Sequence, residues 1–274
     1  MSVFFPAQDA ARIARPIDAF SGELRMMKAF TVLAALPALA AASSSALAVR
    51  RDADVVRVAI YRGPAACEDC AEALERAIHR ADPRYRIDFV GPNEATDVTP
   101  TTLRGYAIYI QPGGGQDIPA ALRALGPQRA QAIRGFVTHG GRYLGLCMGA
   151  YLADRSNLGL IDNDLDTEVG RPGSAAMSED DTVVPVRWGV RRQTLYYQDG
   201  PFFPIAGAHT GFQPIGVYAN GDVAAARYRH GRGTIVLSGP HPEADASWYD
   251  DADLDRGTMP QGQPITVLLD PLRD

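Results

Sequence analysis

Three side chains in this sequence have the types and the neighbours needed for nucleophilic acyl transfer. Cys147 stands between two glycines in Gly145-Leu146-Cys147-Met148-Gly149-Ala150-Tyr151. Far downstream, Ser238-Gly239-Pro240-His241-Pro242-Glu243 places a histidine two residues before a glutamate. A thiol attacks well only once it has lost its proton, and an imidazole oriented by a carboxylate is suited to take it. Cys147, His241 and Glu243 are therefore the expected catalytic set. A carbonyl under attack also needs donors for the oxygen that becomes negative. The backbone N–H groups of Gly114, Gly115 and Met148 are the expected oxyanion hole. The chemistry expected is attack on a small amide, ester or peptide-like carbonyl.

These residues need a particular scaffold. Arg142-Tyr143-Leu144 before the elbow reads as a strand, and Leu152-Ala153 after it as helix. A strand-to-helix elbow presents its nucleophile on a sharp turn, which favours small neighbours. The start of a helix also favours the thiolate through its dipole and free N–H groups. β-rich runs at 55–61, 85–90, 106–110 and 142–146 alternate with helical runs at 70–78, 118–125 and 127–137. That alternation predicts βαβ units and a parallel sheet. Later runs at 182–186, 193–197, 215–219, 223–229 and 233–238 read as strands. Asn220-Gly221 and His230-Gly231-Arg232-Gly233 turn between the last three. The expectation is an α/β fold, mostly parallel, with a small antiparallel β extension. In such sheets ligands bind beyond the C-terminal ends of the strands. Gly63-Pro64, the loop 112–116, Cys147 and His241 all follow strand ends, so one edge gathers them.

The other reactive side chains divide into plainer cases. Cys67-Glu68-Asp69-Cys70 admits a structural disulfide, two ordinary thiols, or a redox switch acting on Cys147. His79, His139, His209 and His230 read as solvent or capping histidines. No spacing forms a metal site, and no cofactor is expected. Tyr151 either lines a pocket or packs. Trp188 and Trp248 read as core or rim aromatics, and Asp250-Asp251-Ala252-Asp253 as solvated surface. Glu243 has an alternative use at the start of the following helix.

The chain has 274 residues and a formal charge of −5. Residues 26–48 read as a secretory signal peptide: Met26-Met27-Lys28, an apolar run, then Ala46-Leu47-Ala48. Residues 1–25 would then be a mis-assigned extension, and residues 49–274 a single domain. A periplasmic or secreted location follows, with no membrane span once the signal is cut. Residues 1–48 hold one more basic than acidic side chain, which leaves the remainder near −6. That argues against a nucleic-acid surface. Lys28 is the only lysine, so the mature chain can use neither Schiff-base nor P-loop chemistry. The expected partner is a small-molecule or peptide-like substrate. The sequence carries no signal for oligomeric state.

Pro112-Gly113-Gly114-Gly115, the elbow at Cys147 and His241-Pro242-Glu243 resemble the class I glutamine amidotransferase-like superfamily. More narrowly, these motifs together with Tyr61-Arg62-Gly63-Pro64 resemble the domain found N-terminal to fungal biotin-protein ligases, over about residues 55–250. The resemblance implies a flavodoxin-like three-layer sandwich and a triad on Cys147, His241 and Glu243. The sequence departs from the glutaminase pattern at Ala150-Tyr151, where those members usually hold His-Gln. It also lacks a biotin ligase catalytic module. The expected function is a cysteine-dependent hydrolase or amidase. The alternative is a non-catalytic ligand-binding or interaction module that keeps the relic of the site. A peptidase resembling the cyanophycinase branch is a third reading, set back because that branch uses serine.

Overall fold

Alternating burial builds the central sheet. In β1 (Val56–Tyr61), Val58 and Ile60 belong to one apolar cluster and Ala59 and Tyr61 to another. Successive strand side chains face opposite ways, so the two clusters cover opposite faces. A computed structural model describes residues 55–205 and 211–273. The expectations for residues 1–25, for the signal at 26–48 and for His209 lie outside the described residues.

The chain then runs through α1 (Cys70–Ala81), β2 (Tyr85–Val90), α2 (Pro100–Leu103) and β3 (Ile108–Gln111). Next come α3 (Ile118–Leu125), α4 (Pro127–Thr138), β4 (Arg142–Leu146) and α5 (Met148–Tyr151). β5 (Asp166–Thr167), β6 (Thr182–Trp188), β7 (Arg191–Tyr197), β8 (Pro201–Phe202), β9 (Gln213–Tyr218), β10 (Val223–His230) and β11 (Gly233–Ser238) follow. Two short helices, α6 (Ala246–Asp251) and α7 (Thr266–Leu269), close the chain. α1 buries Cys70, Ala71, Leu74, Ala77 and Ile78, the spacing of one helical face. Asp117 caps α3 by accepting from the Ala120 N–H at 2.8 Å.

The nine-stranded sheet has the order β2-β1-β3-β4-β11-β10-β9-β6-β7. Its first five strands are parallel. Their order matches the 2-1-3-4-5 order of flavodoxin-like sheets. The other four strands pair antiparallel. The antiparallel part is therefore larger than the small extension expected. The runs at 182–186 and 193–197 do form a hairpin, but β6 also pairs with β9, which joins that hairpin to the main sheet. Strand composition does not reveal which edge a hairpin will choose. The described residues belong to one compact unit, and no described helix is long and apolar enough to cross a membrane.

The two glycines of the elbow are needed for close approach. A Cβ on Gly145 would lie 2.4 Å from the Gly149 carbonyl oxygen, and one on Gly149 would lie 2.1 Å from the Gln111 carbonyl oxygen. Backbone cannot yield as a side-chain tip does. Gly149→Ala is therefore expected to destabilise the fold by about 3 kcal/mol, the upper range for overpacking. A fall in the urea midpoint at unchanged m-value would register this, and a midpoint equal to wild type would refute it.

Candidate functional site

Cys147 follows β4 directly and carries the backbone strain of the turn. Its φ of 48° and ψ of −112° lie in a region that costs a non-glycine residue about 1–3 kcal/mol. Neighbouring elements hold it there. The Cys147 N–H donates to the Ser238 carbonyl at 2.8 Å, across the β4–β11 pair. Its carbonyl accepts from the Ala150 and Tyr151 N–H groups. The helix after the elbow is only the single turn of α5, shorter than the helical run expected, because Leu152–Asn157 continues in turns. The dipole available to the thiol is correspondingly small.

His241 arrives from the adjacent strand. β11 ends at Ser238, and the His241 N–H donates to the Tyr196 carbonyl at 2.8 Å. His241 Nδ1 lies 2.8 Å from Glu243 Oε1. Because a carboxylate only accepts, Nδ1–H is the donor. Cys147, His241 and Glu243 are 6%, 5% and 1% exposed, so the group is shielded from water but still reachable at one end. Burial alone would push the imidazole down. The charge of Glu243 and side-chain hydrogen bonding to Cys147 and Glu243 outweigh it and raise His241 to about 10. The expected alternative use of Glu243 is taken by Asp245, which caps α6 by accepting from the Ser247 N–H.

The thiol has a second contact. Cys147 Sγ donates to the Gln198 carbonyl at 3.3 Å, and Tyr151 Oη donates to the Asp199 carbonyl at 3.1 Å. The 198–199 segment therefore lies over the nucleophile, and Asp199 is itself at φ 45°. Neither residue was singled out from the sequence. The dipeptide Asp199-Gly200, a turn signal, could have marked the bend but not what lies beneath it.

Gly114, Gly115 and Met148 line the same cavity as Cys147. A Cβ on Gly114 would lie 2.5 Å from Met148 Cε, and one on Gly113 2.7 Å from His241 Cε1. The glycine loop thus touches both the elbow and the imidazole. Among the described residues, no backbone carbonyl accepts from the N–H groups of Gly114, Gly115 or Met148. Two cavities flank this point. One of about 220 Å³ is lined by Gly114, Gly115, Cys147, Met148 and Tyr151. The other, of about 320 Å³, is lined by Gly114, Gln198, His241 and Trp248, with Cys67 and Cys70 on its wall. A larger cavity of about 660 Å³, between α2 and α4, holds none of the expected site residues.

The remaining residues fall as follows. Cys67 and Cys70 form a disulfide. Trp248 stands 5.2 Å from the His241 ring, and Tyr196 6.0 Å from it edge-on. Trp188 is buried and donates its indole N–H to the Pro264 carbonyl. Asp250, Asp251 and Asp253 are exposed, as expected of a solvated acidic run, and Asp251 also lines the 320 Å³ cavity. Arg62 next to Gly63-Pro64 is held by Glu72 and Glu94. His79 and His139 are exposed, and His139 Nδ1 sits 2.7 Å from the Gly135 carbonyl at the end of α4. Among the described residues, no group of three His, Cys, Asp or Glu is placed to hold a metal ion.

Residues 56–170 match the family model described as biotin-protein ligase, N terminal. This segment contains the Gly113–Gly115 loop and Cys147 and ends before His241. No curated protein matches the chain. Among solved structures, a protein from Thermoplasma acidophilum described as part of a GMP synthase is 13% identical, with a TM-score of 0.50 over 80% of this chain and 94% of that one. A glutamine amidotransferase is 14% identical, with a TM-score of 0.49 over 68% of this chain and 90% of that one. A cytoplasmic protein of Salmonella typhimurium is 12% identical, with a TM-score of 0.49, over 80% of this chain and 98% of that one. At these identities the likeness is one of fold alone, an α/β domain with a large mixed sheet.

Proposed function

We propose that the chain is an exported, cysteine-dependent hydrolase or amidase built on a flavodoxin-like three-layer sandwich. Cys147 Sγ attacks the carbonyl carbon of a small amide or peptide-like substrate. His241 holds the thiol proton and passes it to the leaving group, while Glu243 fixes the imidazole through Nδ1. The N–H groups of Gly114, Gly115 and Met148 receive the oxyanion. Water then releases the acyl group from sulfur by the same route in reverse. The observation that carries this reading is the buried His241–Glu243 pair, 2.8 Å apart, at the same sheet edge as a strained cysteine. Ala150-Tyr151 beside the elbow argues for a carbonyl substrate other than glutamine.

Trapping tests the reading. Native protein exposed to iodoacetamide should be alkylated at Cys147 at least about tenfold faster than the urea-unfolded chain, as for a thiolate held by an imidazolium. A native rate at or below the unfolded rate would sink it.

One contact favours a second reading, a binding module without turnover. The Cys147 thiol already donates to the Gln198 carbonyl, and a carbonyl oxygen there repels a thiolate. Thermal-shift screening of amides and short peptides separates the two. A ligand that stabilises wild type and Cys147→Ala alike, with no product formed, supports binding alone.

A further inference from the structure

The Cys67–Cys70 disulfide has no place in the chemistry proposed above, yet it lines the cavity that contains His241. Its position has a defined geometric consequence. Cys70 is the first residue of α1, whose buried face anchors it in the core. The disulfide ties Cys67 to that helix across two exposed residues, Glu68 and Asp69. The Cys67 N–H in turn donates to the Gly113 carbonyl at 3.0 Å.

That bond fixes more than a loop position. A trans peptide is planar, with its C=O and N–H on opposite sides. Holding the Gly113 carbonyl toward Cys67 therefore turns the Gly114 N–H to the far side of the same plane. Gly114 is also where the His241 cavity and the Cys147 cavity meet. Glycine resists rotation of this plane less than any other residue, so an external brace matters most here. On the other side of the loop, Gln111 Nε2 donates to the Ala65 carbonyl at 2.6 Å, which holds the segment before Cys67 but not Cys67 itself.

We infer that the Cys67–Cys70 disulfide is a positioning element for the oxyanion hole, holding the Gly113–Gly114 peptide in the orientation that aims the Gly114 N–H at a developing oxyanion. The inference rests on the proposed role of Cys147. It makes carbonyl chemistry at Cys147 depend on the redox state of a neighbouring pair of cysteines that never touches the substrate's reacting atoms.

The experiment compares two reactions at one sulfur. Iodoacetamide alkylates by direct displacement of iodide and forms no oxyanion. p-Nitrophenyl acetate acylates through a tetrahedral oxyanion and releases p-nitrophenolate. Both rates are measured at Cys147, by mass of its peptide, in wild type and in Cys67→Ser/Cys70→Ser. Misdirecting one oxyanion donor should slow acylation by about tenfold or more, within the 10²–10³-fold loss known for removing one outright. Alkylation should stay within about twofold, since it needs no such donor. A second form guards against a variant that fails to fold. Wild type treated with tris(2-carboxyethyl)phosphine should show the same split, and reoxidation should restore acylation. In that step the disulfide takes up two electrons and two protons to give two thiols, and the phosphine gains oxygen from water. Equal rates for both reactions in both forms would overturn the inference, as would an equal fall in both. If wild-type Cys147 reacts with neither reagent faster than the unfolded chain, the reading of Cys147 itself fails and takes this inference with it.

Discussion

Cys147→Ala is expected to abolish turnover of any carbonyl substrate, by a factor on the order of 10⁵–10⁶, because removing one member of a catalytic triad costs nearly as much as removing all of it. The same substitution should leave the fold intact, since it trims one sulfur from a buried site. Cys147→Gly sharpens the test. The residue at 147 sits at φ 48° and ψ −112° whatever its side chain, because the Ser238 carbonyl holds its N–H and α5 begins at Met148. Alanine keeps the strain that cysteine bears. Glycine relieves about 1–3 kcal/mol of it and gives back about 0.5–1 kcal/mol in chain entropy. The glycine variant should thus be about 1 kcal/mol more stable than the alanine variant and equally inactive. Urea unfolding of the two variants measures the difference. A glycine variant less stable than alanine would show that the turn is not strained in solution, and residual activity in either would remove Cys147 from the nucleophile's role.

That strain explains how the site could be read so far from sequence alone, and where the reading stopped. Gly-x-Cys-x-Gly marks a place where β4, α5 and the end of β3 crowd together, and crowding leaves a local signature in residue size. The sequence predicted small neighbours through backbone conformation. The structure assigns that strain to Cys147 itself and gives Gly145 and Gly149 a packing role. The five parallel strands were legible because each is an apolar run closed by turn residues. The four antiparallel strands were legible singly, and the turns at Asn220-Gly221 and His230-Gly231-Arg232-Gly233 join β9, β10 and β11 locally, but the attachment of the β6–β7 hairpin to β9 depends on pairing between segments far apart in the chain. The same limit hid Gln198, Asp199 and Tyr196. Nothing near Gln198 in sequence refers to Cys147, 51 residues away, yet its carbonyl accepts from the thiol. The exposure of Asp251 is legible from charge alone, but its place beside the cavity is not.

Glu243→Gln is the substitution that separates a working acid–base pair from a buried structural one. Glu243 is fully buried and bonded to Nδ1 of His241, whose ionisation it helps to raise to about 10. The sign of the linkage follows. A base whose folded value lies above its unfolded 6.5 binds its proton more tightly when folded. The stability it adds is fully present below pH 6.5 and is lost as the pH rises through about 10. Glutamine keeps the shape and an acceptor for Nδ1–H but removes the charge. Burial then dominates, and the imidazole becomes neutral near pH 7. At about pH 6–7 the variant should be about 3–5 kcal/mol less stable, the cost of breaking a buried pair from one side. The two proteins should converge as the pH passes about 10, where wild type loses the same proton. Activity should move with it. In wild type the imidazolium that protonates the leaving group persists to about pH 10, so the basic limb of the rate profile lies there. In the variant that limb should fall by more than about one pH unit. A variant whose stability gap is flat from about pH 6 to 10 would mean that His241 carries no extra proton when folded. A shifted stability profile with an unshifted rate profile would leave the pair structural and place the acid of the reaction elsewhere.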